Sequence, residues 1–353
     1  MPETTLNVIK IFILGAASFI LAFWLTPVLT HFLYKYKLWR KETRTKSIDG
    51  KEIPFFQKFH SQKETSVPRF GGLLIWTTTL ILISIFYLLS EFTNIWLFDE
   101  LNFLSRSQTW LPLFALVVAS LVGFTDDILQ VFSKGKYIGG GLRLRYRLGL
   151  IVLIGLIGGL WFYYKLGYST IHIPGNGDLL IGALYIPLFI LVMMATYSGG
   201  VIDGLDGLAG GAFAVIFGTF GLISLFNGQI ELAAFCSVVA GAILAFLWFN
   251  IPPARFYMGE TGMMGLGAAL TVVAFLTDSV LVLPIIGFLL VIESGSVILQ
   301  LLSKRFRGKK LFLASPIHHH FEAKGWPHFK ITMRFWVIGV VMAVIGVAVR
   351  LLG

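Results

Sequence analysis

The chain has 353 residues, of which 56% are hydrophobic and 13% charged, and its mean hydropathy is +0.82. That balance excludes a soluble globular domain, in which roughly a quarter of the residues carry charge, and identifies an integral membrane protein. The net charge of +10 does not describe a nucleic-acid surface, because the basic residues follow the loops between apolar runs and not one soluble face, so no nucleic-acid partner is expected.

A helix needs about 20 apolar residues to cross the hydrocarbon. The chain offers about ten such runs, near 11–33, 71–90, 110–125, 145–164, 179–197, 208–226, 230–250, 261–277, 280–303 and 334–352. The first is too long, with flanks too weakly basic, for a cleaved signal peptide, and reads as a membrane anchor. All but Lys10, Arg106, Lys165 and Arg350 of the 28 Lys and Arg lie in 34–70, 126–147, 251–260 and 303–334. By the positive-inside rule these four segments are cytoplasmic, both termini lie outside and the number of spans is even. The same basic loops favour anionic membrane lipids as partners. No repeat or soluble domain interrupts the pattern, so residues 1–353 read as a single polytopic all-α membrane domain with a cytoplasmic active-site cleft. The single Cys236 excludes an internal disulfide framework and any cysteine-based zinc site.

Of the outside loops, Ile171-His-Ile-Pro-Gly-Asn-Gly-Asp178 combines alternation with turn formers, which predicts a small extracytoplasmic hairpin of structural role.

Chemistry concentrates in the cytoplasmic loops. Asp126 and Asp127 end the third run, where adjacent carboxylates repel unless cations or protons relieve them. Asp203-Gly-Leu-Asp206 sits among glycines that let backbone amides approach an anion or a flat ring, while the acids accept from hydroxyls or base N–H groups. Glu260 begins the eighth run; with Asp126 and Asp127 it could share one Mg²⁺, which takes oxygen ligands and only one or two carboxylates. His318, His319 and His320 do not share one helical face, and imidazole suits zinc better than magnesium, so they read as phosphate donors or loop anchors and not as a metal centre. Glu293 lies inside the ninth run, where a charge costs roughly 2.5–3.5 kcal/mol at mid-bilayer, and should face the bundle interior.

Taken together, Gly123-Phe-Thr-Asp-Asp127, Asp203-Gly-Leu-Asp-Gly-Leu-Ala209, Phe256-Tyr-Met-Gly-Glu-Thr-Gly262 and Ser315-Pro-Ile-His-His-His-Phe-Glu-Ala-Lys-Gly-Trp326 resemble the phospho-N-acetylmuramoyl-pentapeptide transferases, within the polyprenyl-phosphate N-acetylhexosamine-1-phosphate transferase superfamily. The likeness covers nearly the whole chain, and the Pro-Ile-His-His-His and Lys-Gly-Trp pieces point to the muramoyl branch. It implies a ten-helix enzyme of the bacterial inner membrane, commonly a homodimer. The implied reaction transfers phospho-MurNAc-pentapeptide from UDP-MurNAc-pentapeptide to undecaprenyl phosphate, with Mg²⁺, giving lipid I and UMP for peptidoglycan synthesis. Carried over by motif, the resemblance makes Asp126, Asp127, Glu260 and His318 the catalytic set, the first three also binding the metal. Lys63, Asp203, Gly204, Asp206, Asn250, Tyr257, Gln300, His319 and His320 would bind substrate.

The chain departs from the family pattern at Tyr197 and Gly200, where Asn is usual, at Gln130, where a Lys is common, and at Glu260, where the family has Asp. Aligned on Pro68, the family's nucleotide-side Lys falls on Glu64, so the use of Lys63 assumes a shift of one residue. Two other readings share the same residues: a sibling transferase for another UDP-sugar, and a catalytically weakened paralogue that binds the same ligands.

Overall fold

The computed structural model describes residues 3–41, 64–132 and 141–352, and Lys63 lies outside them. Helix α1 (Glu3–Lys35) is followed by α2 (Gly72–Phe92), the short α3 (Trp96–Leu101), α4 (Trp110–Val131) and α5 (Leu144–Leu160), which runs on through a π turn at Trp161–Lys165. Strands β1 (Thr170–Ile173) and β2 (Gly177–Leu180) precede α6 (Tyr185–Ser198), which ends in a 3-10 turn at Gly199–Ile202. Then come α7 (Leu208–Phe226), α8 (Ile230–Asn250), α9 (Gly259–Leu276), α10 (Leu283–Ile286), α11 (Phe288–Arg307), α12 (Ile317–Ala323) and α13 (His328–Leu351).

Among the described residues, nine helical segments are long and apolar enough to cross a membrane, which makes this a multi-pass membrane protein. The apolar run at 280–303 is the one that does not emerge as a plain span. It breaks at Gly287 into the single turn of α10 and the amphipathic α11, which carries Glu293 in mid-helix and Lys304, Arg305 and Arg307 in its last turn. Those cations complement the negative end of the helix dipole, and the break at Gly287 with Glu293 beyond it leaves the run shorter as an apolar helix than its sequence suggested.

Helix α9 is the centre of the bundle: 94% of its apolar window is buried, against 22% for α1 and 33% for α13. The outer helices turn Phe12, Trp24, Val337 and Val344 outward, the surface that lipid requires. In lipid no hydrophobic force drives one helix onto another, so close approach depends on small residues. Gly123 of α4 faces the Glu260 carbonyl of α9 so closely that any Cβ there would collide with backbone, and Gly72 of α2 is similarly placed against Gly262. Helices α4 and α9 are thereby brought into contact at the ends that carry their acids.

The expected hairpin is present: β1 and β2 pair antiparallel, with Thr170 opposite Leu180 and Ile173 opposite Gly177. Its turn uses Gly175 and Gly177 at φ of +75° and +79°, conformations open to glycine without strain.

Gly123→Val should force α4 from α9 and lower stability by about 1–3 kcal/mol, the range for overpacking. Gly149→Ala, at a helical site with nothing within 4 Å, should leave it unchanged. Thermal unfolding of the two variants in detergent measures the difference.

Candidate active site

The site is organised by the first turn of α9. Its leading amides have no partner within the helix, and carboxylates from two distant elements supply one. The Gly259 N–H donates to Asp203 Oδ2 at 3.0 Å, the Glu260 N–H to Asp127 Oδ1 at 3.2 Å, and the Thr261 N–H and hydroxyl to Asp127 Oδ2 at 2.8 and 2.7 Å. Gly259 has φ +71°, and a Cβ there would lie 2.5 Å from Asp127 Oδ2, so a side chain would break the arrangement twice over.

Asp126, one residue earlier on α4, is also fully buried. Its Oδ1 accepts the Leu142 N–H at 2.5 Å, and its Oδ2 accepts Gln130 Nε2 at 2.7 Å and Arg147 Nη1 at 3.4 Å. The same Arg147 Nη1 donates to Glu260 Oε1 at 2.6 Å, so a guanidinium from α5 bridges Asp126 and Glu260. Gln130 Oε1 in turn accepts from Arg40, which also pairs with Glu64 at 3.1 Å. On the other side Arg69 Nε lies 3.6 Å from Asp127 Oδ1. Burial opposes the Arg69 charge, but Asp127, Asp203, Glu64 and Glu260 outweigh it and hold the guanidinium above its usual range. The predicted trio Asp126, Asp127 and Glu260 is therefore brought to one place, although its ligand oxygens do not all lie within 4.8 Å of one another.

Asp203, Gly204 and Asp206 follow the 3-10 turn. Burial pushes the Asp203 carboxyl up to about 6, with Arg69 and the Gly259 N–H opposing and Asp127 and Asp206 adding to the rise. Asp206 Oδ2 accepts the Ala254 N–H at 3.3 Å. Asn250, at the end of α8, is a buried tie: its Oδ1 accepts the Gly207 N–H at 2.9 Å and its Nδ2 donates to the Phe256 carbonyl at 2.8 Å. Tyr257 joins this loop to the segment before α2, donating its N–H to Pro68 O and accepting from the Gly71 N–H, both at 2.8 Å. Its phenol is pushed upward by burial and then by Asp206 and Asp203.

The three histidines of α12 point to three different partners, as their spacing predicted. His318 is buried, with Nδ1 2.8 Å from Oε2 of Glu293. Its Nε2 has no hydrogen-bond partner and faces Gly204, where a Cβ would collide with it. Glu293 thus lies inside the bundle, where the cost of its charge is reduced by a polar partner. His319 contacts Glu322, which also pairs with His328 Nε2 at 2.6 Å. His320 accepts the Leu313 N–H at 3.2 Å, and burial followed by Lys324 lowers its pKa. Gln300 of α11 anchors the same loop: its Oε1 accepts the Leu311 and Phe312 N–H groups at 2.9 Å and its Nε2 donates to Phe312 O at 3.1 Å. Beside this loop opens a cavity of about 420 Å³ lined by Lys310, Leu311, Phe312, Leu313, His320 and Lys324.

Arg69, Arg147 and Thr261 meet these acids without having been singled out by sequence reasoning, and Gln130 stood out only as a departure from the family pattern. The two arginines counted only as topological charge. Gln130 stands four residues after Asp126 on one helix, a spacing that places their side chains together and was the one available signal.

This is the architecture of a polytopic membrane transferase, and residues 109–278 match the family described as Glycosyl transferase family 4. Phospho-N-acetylmuramoyl-pentapeptide-transferases are similar along almost the whole chain. The protein of Geobacillus thermodenitrificans is 34% identical, covering 99% of both chains. That of Anoxybacillus flavithermus is 33% identical over 94% of this chain and 95% of the relative, and that of Levilactobacillus brevis 36% identical over 82% and 86%. The chain belongs to the phospho-N-acetylmuramoyl-pentapeptide transferase family.

Asp127→Ala should leave the amides of α9 unsatisfied and cost about 1–3 kcal/mol, read as a lower unfolding temperature in detergent. Asp127→Asn keeps one oxygen acceptor and should lose less. Equal stability of all three proteins would show that the cap does not hold the helix.

Proposed function

We propose that this chain transfers phospho-MurNAc-pentapeptide from UDP-MurNAc-pentapeptide to undecaprenyl phosphate, releasing UMP and forming lipid I. The reaction would take place at the basic, cytoplasmic face of the bacterial inner membrane. Beside family membership, the observation that carries this reading is the meeting of Asp126, Asp127, Asp203 and Glu260 with Arg69 and Arg147 at one end of a buried helix.

Phosphoryl transfer asks a protein mainly for alignment and charge neutralisation. Mg²⁺ fits the donor set, which is entirely carboxylate oxygen. Arg147 Nη1 already rests against oxygens of both Asp126 and Glu260, so the locus accepts positive charge. Asp126, Asp127 and Glu260 are the residues that would hold the ion, which supplies charge neutralisation on the diphosphate. The protein's own groups do the rest. Asp126 orients the lipid phosphate, and Arg69 and Arg147 present guanidinium donors to phosphate oxygens. His318, held by Glu293 through Nδ1, offers Nε2 on the side of Gly204. His319 joins His318 on the phosphate side, Asp203, Gly204, Asp206, Asn250, Tyr257 and Gln300 form the nucleotide side, and His320 binds substrate beside the cavity bordered by Lys310 and Lys324.

The test is UMP release from UDP-MurNAc-pentapeptide and undecaprenyl phosphate by the purified chain, expected to require Mg²⁺ and to stop on chelation. Faster turnover of UDP-N-acetylglucosamine would overturn the donor assignment. Asp127→Asn should abolish release while the protein still inserts. Glu260→Asp draws the carboxylate back by about a bond length and should retain turnover, because the site then returns to the shorter acid of the family; a folded but inactive variant would show that the pocket is built around the longer one. Glu293→Gln should lower kcat by at least about tenfold, in line with the loss of a partner that orients a functional histidine. An unchanged kcat would remove His318 from the reaction.

A further inference from the structure

At the end of α9 remote from the acids lies a second polar cluster. His172 of β1 and Asp178 of β2 are direct cross-strand partners, and the turn after α9 brings Asp278 to them. His172 Nδ1 is 3.0 Å from Asp178 Oδ1, and the His172 backbone N–H donates to Asp278 Oδ1 at 3.2 Å. One ligand atom from each residue lies within 4.8 Å of the other two, and among the described residues this is the one set of three or more His, Cys, Asp or Glu to do so. His172 Nε2 is buried and has no hydrogen-bond partner, so one of the two imidazole nitrogens is left unsatisfied within the protein. Asp278 holds a left-handed backbone, φ +51°, uncommon for a residue other than glycine. It is kept there between Thr277 O and Ser279 Oγ, which accept from Arg350 Nη2 at 3.4 Å and Nε at 3.1 Å. Burial raises the Asp278 carboxyl, the His172 N–H opposes, and Asp178 adds to the rise. Two like charges thus share one small site.

We propose that His172, Asp178 and Asp278 form a zinc-class divalent-cation site that clips the hairpin to the turn between α9 and α10. One imidazole nitrogen with two carboxylates suits zinc, whereas calcium and magnesium favour oxygen alone. Zinc ligands at about 2.0–2.2 Å in a tetrahedron stand roughly 3.3 Å apart, so the cluster needs a contraction of about 1.5 Å at most, within reach of side-chain rotation. A fourth position is left for water, on the side where Asp178 is exposed. The physical gain is clear: a two-stranded hairpin is marginal by itself, and a metal joins it to the central helix. The 18 residues of α9 set this site about 27 Å from Glu260 along the axis, at 1.5 Å per residue, so it acts apart from phosphoryl transfer.

The experiment uses the full chain in detergent, without a polyhistidine tag and stripped with chelator. Bound zinc is measured by equilibrium dialysis in excess Mg²⁺, which keeps zinc from the acids of the active site. About one zinc per chain is expected in the wild type, with a higher unfolding temperature on loading. Affinity should fall at least about tenfold in His172→Ala and Asp278→Asn, both of which should fold and release UMP at the wild-type rate. Absence of bound zinc in the wild type, or zinc binding by both variants equal to that of the wild type, would overturn the proposal. Because zinc is read directly, a failure of the proposed transferase reaction would leave this result standing.

Discussion

The structure depends on how the N-terminus of a buried helix is satisfied. Helix α9 begins where water is scarce, and an orphan amide in such a place costs more than at a surface. Asp127 from α4 and Asp203 from the loop before α7 accept its first three N–H groups. Carboxylates are favoured there twice, as acceptors and as anions at the positive end of the dipole. Three segments far apart in sequence are fastened at one point, and the fastening gathers the acids.

Gathering acids creates the next constraint. Four carboxylates gathered together, Asp126 and Asp127 buried and Asp203 and Glu260 partly so, would repel unless positive charge is interleaved, and Arg69 and Arg147 provide it. The interleaving continues outward through Gln130, Arg40 and Glu64. Gln130 is instructive because it departs from the family's common Lys. A neutral amide can donate to Asp126 and accept from Arg40 at once, which an ammonium cannot do. The substitution fits the local network and leaves the positive charge to the arginines.

A parallel logic governs the histidines. Glu293 is tolerable within α11 because His318 is against it, and the contact orients the imidazole so that its other nitrogen faces Gly204. Gln300 and Asn250, expected at the nucleotide side, use their amides to hold loops: Gln300 the segment at Leu311 and Phe312, Asn250 the turn at Gly207. Shaping the pocket walls is a role that residue type and position do not disclose.

By itself the sequence determined the membrane class, the positions of most spans, the hairpin and the acidic clusters that the fold brings together, because hydropathy, turn formers and clustered carboxylates are local signals that need no partner to be read. It also placed Glu293 inward, since a charge in an apolar run has few other places to go. The tertiary structure alone decided which cations meet those acids. Arg69 and Arg147 look in sequence like any other basic residue of a loop between apolar runs, and only the packing of α5 and of the segment before α2 against α4 and α9 turns them toward the acids. It also decided that 280–303 divides at Gly287 and that Asp278 joins His172 across 106 residues of chain. Such contacts arise from helix packing, and no period or motif along the chain encodes a distance between its remote parts.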